Sequence, residues 1–496
     1  MGVSASKAEL VRLLGAECVT GDEKVSCNGA VFDSRDVRGG ELFVALKGAA
    51  QHGHAFLPLA HARGASLLLV EDRTFLTAGP DPQRTLVVPD TLAAFWKLAA
   101  WWRESTAVRT IAVTGSVGKT TTKELLASIL MRHSLGTYSL KSHNNHTGVP
   151  YTLTRIVKGH RWAVLEMGMN HAGELRALTA IGKPDVAVIT KIAPAHIEYF
   201  GSLDRIADAK CEILEGLTAH GVAVLNADDE TLMRAVHRNF PQPAFRIATF
   251  GKAMSSDCRI IEVVSHSLHG FEVTLSLDRE ERTFKVPFPG AHNAFNVAAA
   301  VLAARRAFAE LPLADMEAAL RTARPPDMRL TVKQLTEGRR VVDDSYNASP
   351  VTMSATLGIA RELKGQGLRV GLLFGDMLEL GADAERFHAE LGGEIAALGP
   401  EFLIYVGSQA DTVLKSCAHA GVPAVCAESP EAAAHLAVKR PFDVLVVKAS
   451  RGVGLDRAVT VLEECYGAPL SMPVEEAAED DMLDEALQGR KRKPQS

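Results

Sequence analysis

The sequence predicts an α/β protein of about three domains, and three observations carry that prediction. At 496 residues the chain is some three times the roughly 150 residues of an average domain. Short apolar runs of strand length recur along it with helix-length stretches between them, the pattern of mostly parallel sheets covered by helices on both faces. One run ends in a glycine-rich turn followed by Lys-Thr, which is the context of a phosphate-binding loop.

Composition narrows the class. Hydrophobic residues make up 47% and charged residues 23%, ordinary for a soluble globular chain, which excludes wholesale disorder and collagen-like repeats. With 54 Lys and Arg against 59 Asp and Glu, the formal charge is −5. No general positive field holds a polyanion, so nucleic acid is disfavoured as a partner. The 7 cysteines are scattered with no CxxC pair, which fits reduced thiols in a cytoplasm. The first ten residues lack the basic stretch and apolar core of a signal peptide, and the apolar runs are too short to span a membrane. The expectation is a cytoplasmic protein.

The elements follow in chain order. Residues 1–107 read as a small α/β domain, with strands at 42–46 and 66–70, a helical pattern at 57–63 and a helix at 92–103. A buried-type strand at 110–113 opens a second domain, 108–321. There strands at 162–165, 186–190 and 222–225 continue a mostly parallel sheet, and the alanine-rich stretch 298–309 forms a helix. Arg324-Pro325-Pro326-Asp327 cannot continue a helix, because proline lacks the amide donor. Residues 322–328 are therefore a linker into a third α/β domain, 322–466, with strands at 341–342, 370–374, 402–406 and 444–447. The remainder, 467–496, is acidic and then basic, and such charge blocks stay disordered.

Val113-Thr114-Gly115-Ser116-Val117-Gly118-Lys119-Thr120-Thr121 lies at the end of the 110–113 strand and opens a helix expected at 123–131. Position 113 is Val, so the full GxxxxGK[ST] pattern shortens to GxxGKT. Glycines let the loop amides face phosphate oxygens, and the helix N-terminus adds a favourable dipole. Lys119 would then pair with the outer phosphates and Thr120 with Mg²⁺; the plain alternative is a strand-to-helix turn closed by an ordinary lysine. Glu166 and His196 each follow a strand. Ligands of open α/β sheets bind at the carboxyl ends of strands, so both would face a nucleotide, and the oxygens of Glu166 suit Mg²⁺. Taken singly, they could equally be a solvated strand-end carboxylate and a capped or core histidine. Lys210 sits among Ile206, Ala207 and Ile213, where an unpartnered ammonium is costly, unless it snorkels to water or pairs with Glu212 or Glu215.

Together, TGSVGKTTT, Asn144-Asn145, EMGMNHAGE, ITKIAPAHIEYFGS, IADAKCEI, GAHNAFN, DDSYNASP and GDMLELG resemble the Mur ligases, in that family's order, over residues 26 to 466. The likeness is closest to the branch that adds a dipeptide. It implies a three-domain Mur ligase architecture: a small N-terminal α/β domain, a central P-loop-type mostly parallel sheet and a C-terminal Rossmann-like α/β domain. It also implies an ATP-dependent, Mg²⁺-requiring ligase that acts as a monomer. Through an acyl phosphate it would join D-alanyl-D-alanine to UDP-N-acetylmuramoyl-tripeptide in peptidoglycan precursor synthesis. The rivals are a sister ligase adding one amino acid, a folylpolyglutamate-type ligase, and a nucleotide-binding scaffold without catalysis. By the same resemblance Gly115, Ser116, Val117, Gly118, Lys119, Thr120 and Thr121 hold the ATP phosphates. Thr120, Glu166 and His196 hold Mg²⁺, and Lys210 is expected as a carbamate, so Lys119, Glu166, His196 and Lys210 form the catalytic set. Asn293 and Asn296 would read adenine, with helix capping as their alternative. Arg329 and Asp344 would close onto ATP from the third domain. Asn144, Asn145 and Asn347 would meet substrate, and Ser34 and Arg35 the uridine diphosphate, unless that stretch is a surface turn stabilised by Asp33. The family pattern is broken at His52 (commonly Asp), Ser349 (Asn) and Ala449 (Gly).

Overall fold

Successive side chains of a strand alternate between faces, and Arg109–Thr114 shows what that does here. Ile111 and Val113 enter one apolar cluster and Ala112 another. In the computed structural model, which describes residues 4–21, 23–48, 51–194, 197–217 and 220–467, this strand lies inside the central sheet. Among the described residues that sheet has nine strands. In order they are Gly136–Tyr138, Trp162–Glu166, Arg109–Thr114, Val186–Ile189, Val222–Asn226, Arg246–Gly251, Cys258–Ser265, Phe271–Leu277 and Glu280–Val286. The first seven run parallel and the last two are joined antiparallel. From Arg109–Thr114 the chain crosses through the helix Lys119–His133 to the edge, comes back to Trp162–Glu166, and only then continues on the other side with Val186–Ile189. That reversal of strand order opens a crevice at the carboxyl ends of the strands, and Gly115 to Gly118 occupy it.

One face of the sheet is covered by Lys119–His133 and Ala294–Ala307 through Leu126, Leu130 and Val301. On the other face Ala163, Leu165, Ile189 and Leu225 belong to a single cluster with Phe95, Leu98 and Trp102 of the helix Thr91–Glu104, and with Leu42, Phe43 and Leu68 of the first sheet. That first sheet runs Glu17–Cys18, Thr85–Val87, Leu67–Val70, Leu42–Val44, Ala30–Val31, and it shares its core with the central one. The Trp102 indole N–H donates to the Ile156 carbonyl at 2.9 Å, so the ring is buried without an orphaned donor.

The third sheet, Thr331–Gln334, Arg340–Asp343, Val444–Lys448, Val370–Gly375, Phe402–Val406, Ala424–Cys426, has clusters of its own on both faces: Leu372 and Phe374 on one, Leu373 and Val447 on the other. It meets the central sheet mainly through polar contacts. Tyr346 Oη donates to Ser142 Oγ at 2.5 Å, Ser265 Oγ donates to Glu362 at 2.8 Å, and the Glu198 amide donates to the Glu379 carbonyl at 3.4 Å. Leu268 and Ile197 add apolar contacts to the third-sheet core.

Several elements depart from expectation; the helix placed at 298–309 spans Ala294–Ala307. The helix placed at 123–131 starts at Lys119, immediately after Gly118. The hairpin Phe271–Leu277 with Glu280–Val286 was not anticipated; its turn residues Asp278 and Arg279 both hold positive φ, 53° and 70°. The charged tail lies outside the described residues beyond Gly467.

Candidate active site

The phosphate loop needs glycine at two positions for reasons of space as well as φ. Gly115 sits at φ +149°, where a Cβ would stand 2.0 Å from Thr190 Oγ1; Gly118 sits at φ +85°, where a Cβ would stand 2.3 Å from Asn296 Oδ1. The helix begins at the next residue, so its first amides, which have no partner inside the helix, open onto the crevice. The Lys119 ammonium folds back to donate to the Gly115 carbonyl at 2.7 Å and lies 3.4 Å from that of Ser116. Burial lowers its pKa, Glu166 opposes that shift and Arg329 adds to it.

Among the oxygens in or beside this loop that are buried without a hydrogen-bond partner are Thr114 Oγ1, Ser116 Oγ, Thr120 Oγ1 and Glu166 Oε2. Leaving a buried acceptor unsatisfied costs about 1–3 kcal/mol, and hard oxygens of this kind suit Mg²⁺. The residues present therefore fit the ion. The other oxygen of Glu166 accepts from Asn144 Nδ2 at 2.8 Å, its backbone amide donates to Ser139 Oγ at 3.1 Å, and Lys123 Nζ stands 3.9 Å from Oε2. Among the described residues no three His, Cys, Asp or Glu form a metal-binding cluster. His196 lies outside the described residues.

Lys210 is 2% exposed. The carboxylates considered as its partners are engaged elsewhere: Glu212 accepts from the amides of Gly173 at 2.7 Å and Arg176 at 3.2 Å, capping the helix Glu174–Gly182, and Glu215 pairs with Arg176 at 2.6 Å. Neither snorkelling nor pairing describes it. Burial first, and the charge of Lys119 second, hold its pKa well below the ordinary lysine value.

Asn296 ties the HNxxN turn to the phosphate loop. Its Oδ1 accepts from Thr122 Oγ1 at 3.2 Å and its Nδ2 donates to Asn293 Oδ1 at 2.7 Å. Asn293 makes no side-chain cap to Ala294–Ala307, and the capping alternative is not met. These residues line a cleft of 340 Å³ together with Thr190, Arg329, Asp344 and Lys448. Asp344 Oδ2 accepts from Lys448 Nζ at 2.6 Å and from Thr356 Oγ1 at 2.7 Å, while the Arg329 guanidinium lies 4.3 Å over the Tyr346 ring. The third sheet thus delivers a buried cation, a carboxylate and a guanidinium to the nucleotide side of the central sheet. Asn347 stands exposed at the rim. A larger hollow of 640 Å³ along Leu203–Cys211 contains none of the phosphate-loop residues.

The remaining expected residues lie apart from this cleft. Asn145 Oδ1 accepts from the amides of Thr147 and Gly148 at 3.2 and 3.0 Å, where the helix Gly148–Thr154 begins. Ser34 is buried in a 3₁₀ turn whose Asp33 accepts from the Arg35 amide at 2.9 Å and pairs with the exposed Arg35 guanidinium at 2.6 Å. Sequence reasoning missed Thr190, whose hydroxyl donates to the Val117 carbonyl at 2.5 Å, and Lys448. Both sit at or just past strand ends facing the crevice, and the strand-end rule applied to Glu166 would have found them.

A phosphate loop at a strand-order reversal, an unsatisfied strand-end carboxylate and a second α/β unit closing the cleft define a nucleotide-dependent transfer enzyme. The profile of the Mur ligase middle domain matches residues 113–304 and that of the Mur ligase, glutamate ligase domain matches residues 328–451; the chain belongs to the Mur ligase family. It is 33% identical over 465 residues to the UDP-N-acetylmuramoyl-tripeptide--D-alanyl-D-alanine ligase of Escherichia coli (strain K12), covering 93% of this chain and 99% of that protein. Among solved structures, MurF from Acinetobacter baumannii superposes with a TM-score of 0.79 at 28% identity, over 93% of this chain and 99% of that one. The MurF ligase of Thermotoga maritima in complex with ADP gives 0.73 at 26% identity, over 88% and 97%.

Proposed function

We propose that this chain is an ATP-dependent ligase that joins D-alanyl-D-alanine to UDP-N-acetylmuramoyl-tripeptide in peptidoglycan precursor synthesis. The observation that carries the reading is the single cleft in which the phosphate loop, Asn293 and the Arg329, Asp344, Lys448 group meet, with Glu166 at the end of the strand paired beside the loop's own strand, in a chain that matches the Escherichia coli ligase almost end to end.

The reaction has two displacements. The tripeptide carboxylate attacks the γ-phosphorus of ATP, the bond to the β–γ bridging oxygen breaks, and an acyl phosphate and ADP form. The neutral amine of the dipeptide then attacks the acyl carbon, phosphate leaves, and the nitrogen sheds a proton. The first step brings two anions together, so stabilising the transferring phosphoryl group is the main task. Lys119 exchanges the carbonyls of Gly115 and Ser116 for phosphate oxygens, and the first amides of its helix do the same. Mg²⁺ when bound supplies charge neutralisation on the phosphates; Thr120 and Glu166 would hold it, with His196 beside them. Arg329, Asp344 and Lys448 cover the nucleotide and keep water from the acyl phosphate. Asn293 would present its amide to adenine, while Asn296 holds that turn in place. Burial favours the neutral amine of Lys210, the form that adds CO₂: a nitrogen–carbon bond forms, a proton leaves, and the carbamate carries negative oxygens where an ammonium would repel cations. Asn144 serves by orienting Glu166, Ser34, Arg35 and Asn145 are the proposed substrate contacts outside the nucleotide cleft, and Asn347 is the proposed contact at its rim.

The enzyme would act as a monomer, in the cytoplasm where ATP and nucleotide sugars are found. Among the described residues no helix is long and apolar enough to cross a membrane. The test is product mass. With ATP, Mg²⁺ and UDP-N-acetylmuramoyl-tripeptide, a panel of amines should yield a product only with D-alanyl-D-alanine, at one ADP per bond. Equal turnover with D-alanine, L-lysine or D-glutamate would overturn the reading in favour of a sister ligase; ATP binding without turnover would favour a scaffold.

A further inference from the structure

Glu166 is oriented by a segment that also touches the third sheet. Residues 139–145 pass beside it, and their entry is clamped by Lys123, which is fully buried and donates to the carbonyls of Ser139 at 2.6 Å and Lys141 at 2.8 Å. Lys141 holds φ +48°, a conformation that a residue with a Cβ keeps only where its surroundings impose it. Farther along, the Asn144 amide donates to the Ser142 carbonyl at 2.8 Å, so a shift of Ser142 is passed directly to Asn144. Asn144 then grips the end of the Trp162–Glu166 strand twice, through Nδ2 to Glu166 Oε1 at 2.8 Å and through its carbonyl, which accepts from the Gly168 amide at 2.7 Å.

The other end of this run lies in the third sheet. Tyr346 Oη donates to Ser142 Oγ at 2.5 Å, the Tyr346 amide donates to the Met328 carbonyl at 3.1 Å, and Arg329 stacks on the ring. A contiguous series of contacts thus joins Arg329, which lines the nucleotide cleft, to Asn144, the amide donor to Glu166.

We infer that Tyr346 is a positioning residue: its hydroxyl, bonded to Ser142, seats the 139–145 segment, so that Glu166 is aimed to bind metal when the third sheet is docked. The inference rests on the ligase reading for its purpose, but its test does not require turnover. The physical warrant is a hydrogen bond between two separately folded units that is made only when they are docked, with the metal-facing carboxylate two hydrogen bonds farther on.

The experiment is a titration of Mn²⁺, followed by electron paramagnetic resonance, into the full chain saturated with a non-hydrolysable ATP analogue. Tyr346→Phe keeps the ring under Arg329 and removes only the hydroxyl. It should weaken Mn²⁺ binding by about twofold to tenfold, the range that one hydrogen bond spans. Ser142→Ala should do the same, the double variant no more than either alone, and Ser142→Thr, which keeps a hydroxyl, should bind as the unaltered chain does. Unchanged Mn²⁺ affinity in either single variant, or losses that multiply in the double variant, would overturn the inference. If the unaltered chain makes no dipeptide product, the ligase reading fails, and the Mn²⁺ titration still decides the role of Tyr346.

Discussion

Phe95, Leu98 and Trp102 join the first sheet to the central one through one continuous apolar cluster. The third sheet meets the same central sheet across a polar cleft and a few hydrogen bonds, from Ser142 to Tyr346 and from Ser265 to Glu362. The first junction removes apolar surface from water and cannot open without exposing a core. The second exchanges protein hydrogen bonds for water at small net cost, which is the usual basis of domain movement. A ligase with an acyl phosphate to protect needs that asymmetry: one fixed wall that carries the phosphate loop, and one wall that can leave and return with Arg329, Asp344 and Lys448.

The comparison can be broken at several points. The largest effect is expected in the cleft, where Lys119→Ala should lower turnover by about 10³-fold or more, since on the proposed reading the ammonium would meet charge on the transferring phosphoryl group. Its melting temperature should stay near that of the unaltered chain; a large loss of stability would make Lys119 a structural residue.

Lys210 separates activity from stability. Lys210→Met should abolish most turnover yet stabilise the fold. Because burial holds its pKa well below the usual value of about 10.4, both folded and unfolded states are protonated at low pH, and the full cost of a buried ammonium is present there. As pH rises between the lowered and the ordinary value, the unfolded chain binds a proton that the folded chain does not, so stability rises with pH. Urea unfolding at pH 6 and pH 9 should show Lys210→Met gaining most at pH 6; an equal or opposite gain at pH 9 would contradict the buried-amine assignment.

The two junctions should differ under truncation. Trp102→Ala is expected to destabilise by about 3–5 kcal/mol and to weaken the first and central sheets together, seen as one transition shifted downward in calorimetry. Ser265→Ala, at the third-sheet junction, should cost about 1 kcal/mol or less. Similar losses in both would remove the distinction between them.

How much of this was legible in the sequence varies with the kind of signal. Strand interiors such as 402–406 and 444–447 were readable because buried parallel strands are continuous apolar runs. The start of the phosphate-loop helix was placed four residues late, since Thr120, Thr121 and Thr122 are β-branched and read poorly as helix, whereas burial of all three overrides propensity. The hairpin ending at Val286 was hidden because its turn, Asp278-Arg279, takes positive φ without glycine or asparagine. In the site, Lys119 and Thr120 stood in a loop motif and Glu166 at a strand end, so the sequence alone could single them out. Thr190, Lys123, Tyr346 and Lys448 act through contacts 73 to 204 residues away or through backbone carbonyls, and no local pattern announces such partners. Glu212 and Glu215 looked like partners for Lys210 by proximity, yet the helix amide and the arginine they face took them.

The contrast between the two junctions is tested most directly by hydrogen exchange, followed by mass spectrometry, on the full chain with and without an ATP analogue plus UDP-N-acetylmuramoyl-tripeptide. Amides of Thr91–Glu104, at the apolar junction, should exchange slowly and equally in both states, while those of residues 344–349 and 115–121, on opposite walls of the cleft, should become protected when ligands are added. Protection that rises equally at both junctions, or at neither, would contradict a fixed first wall and a closing third one.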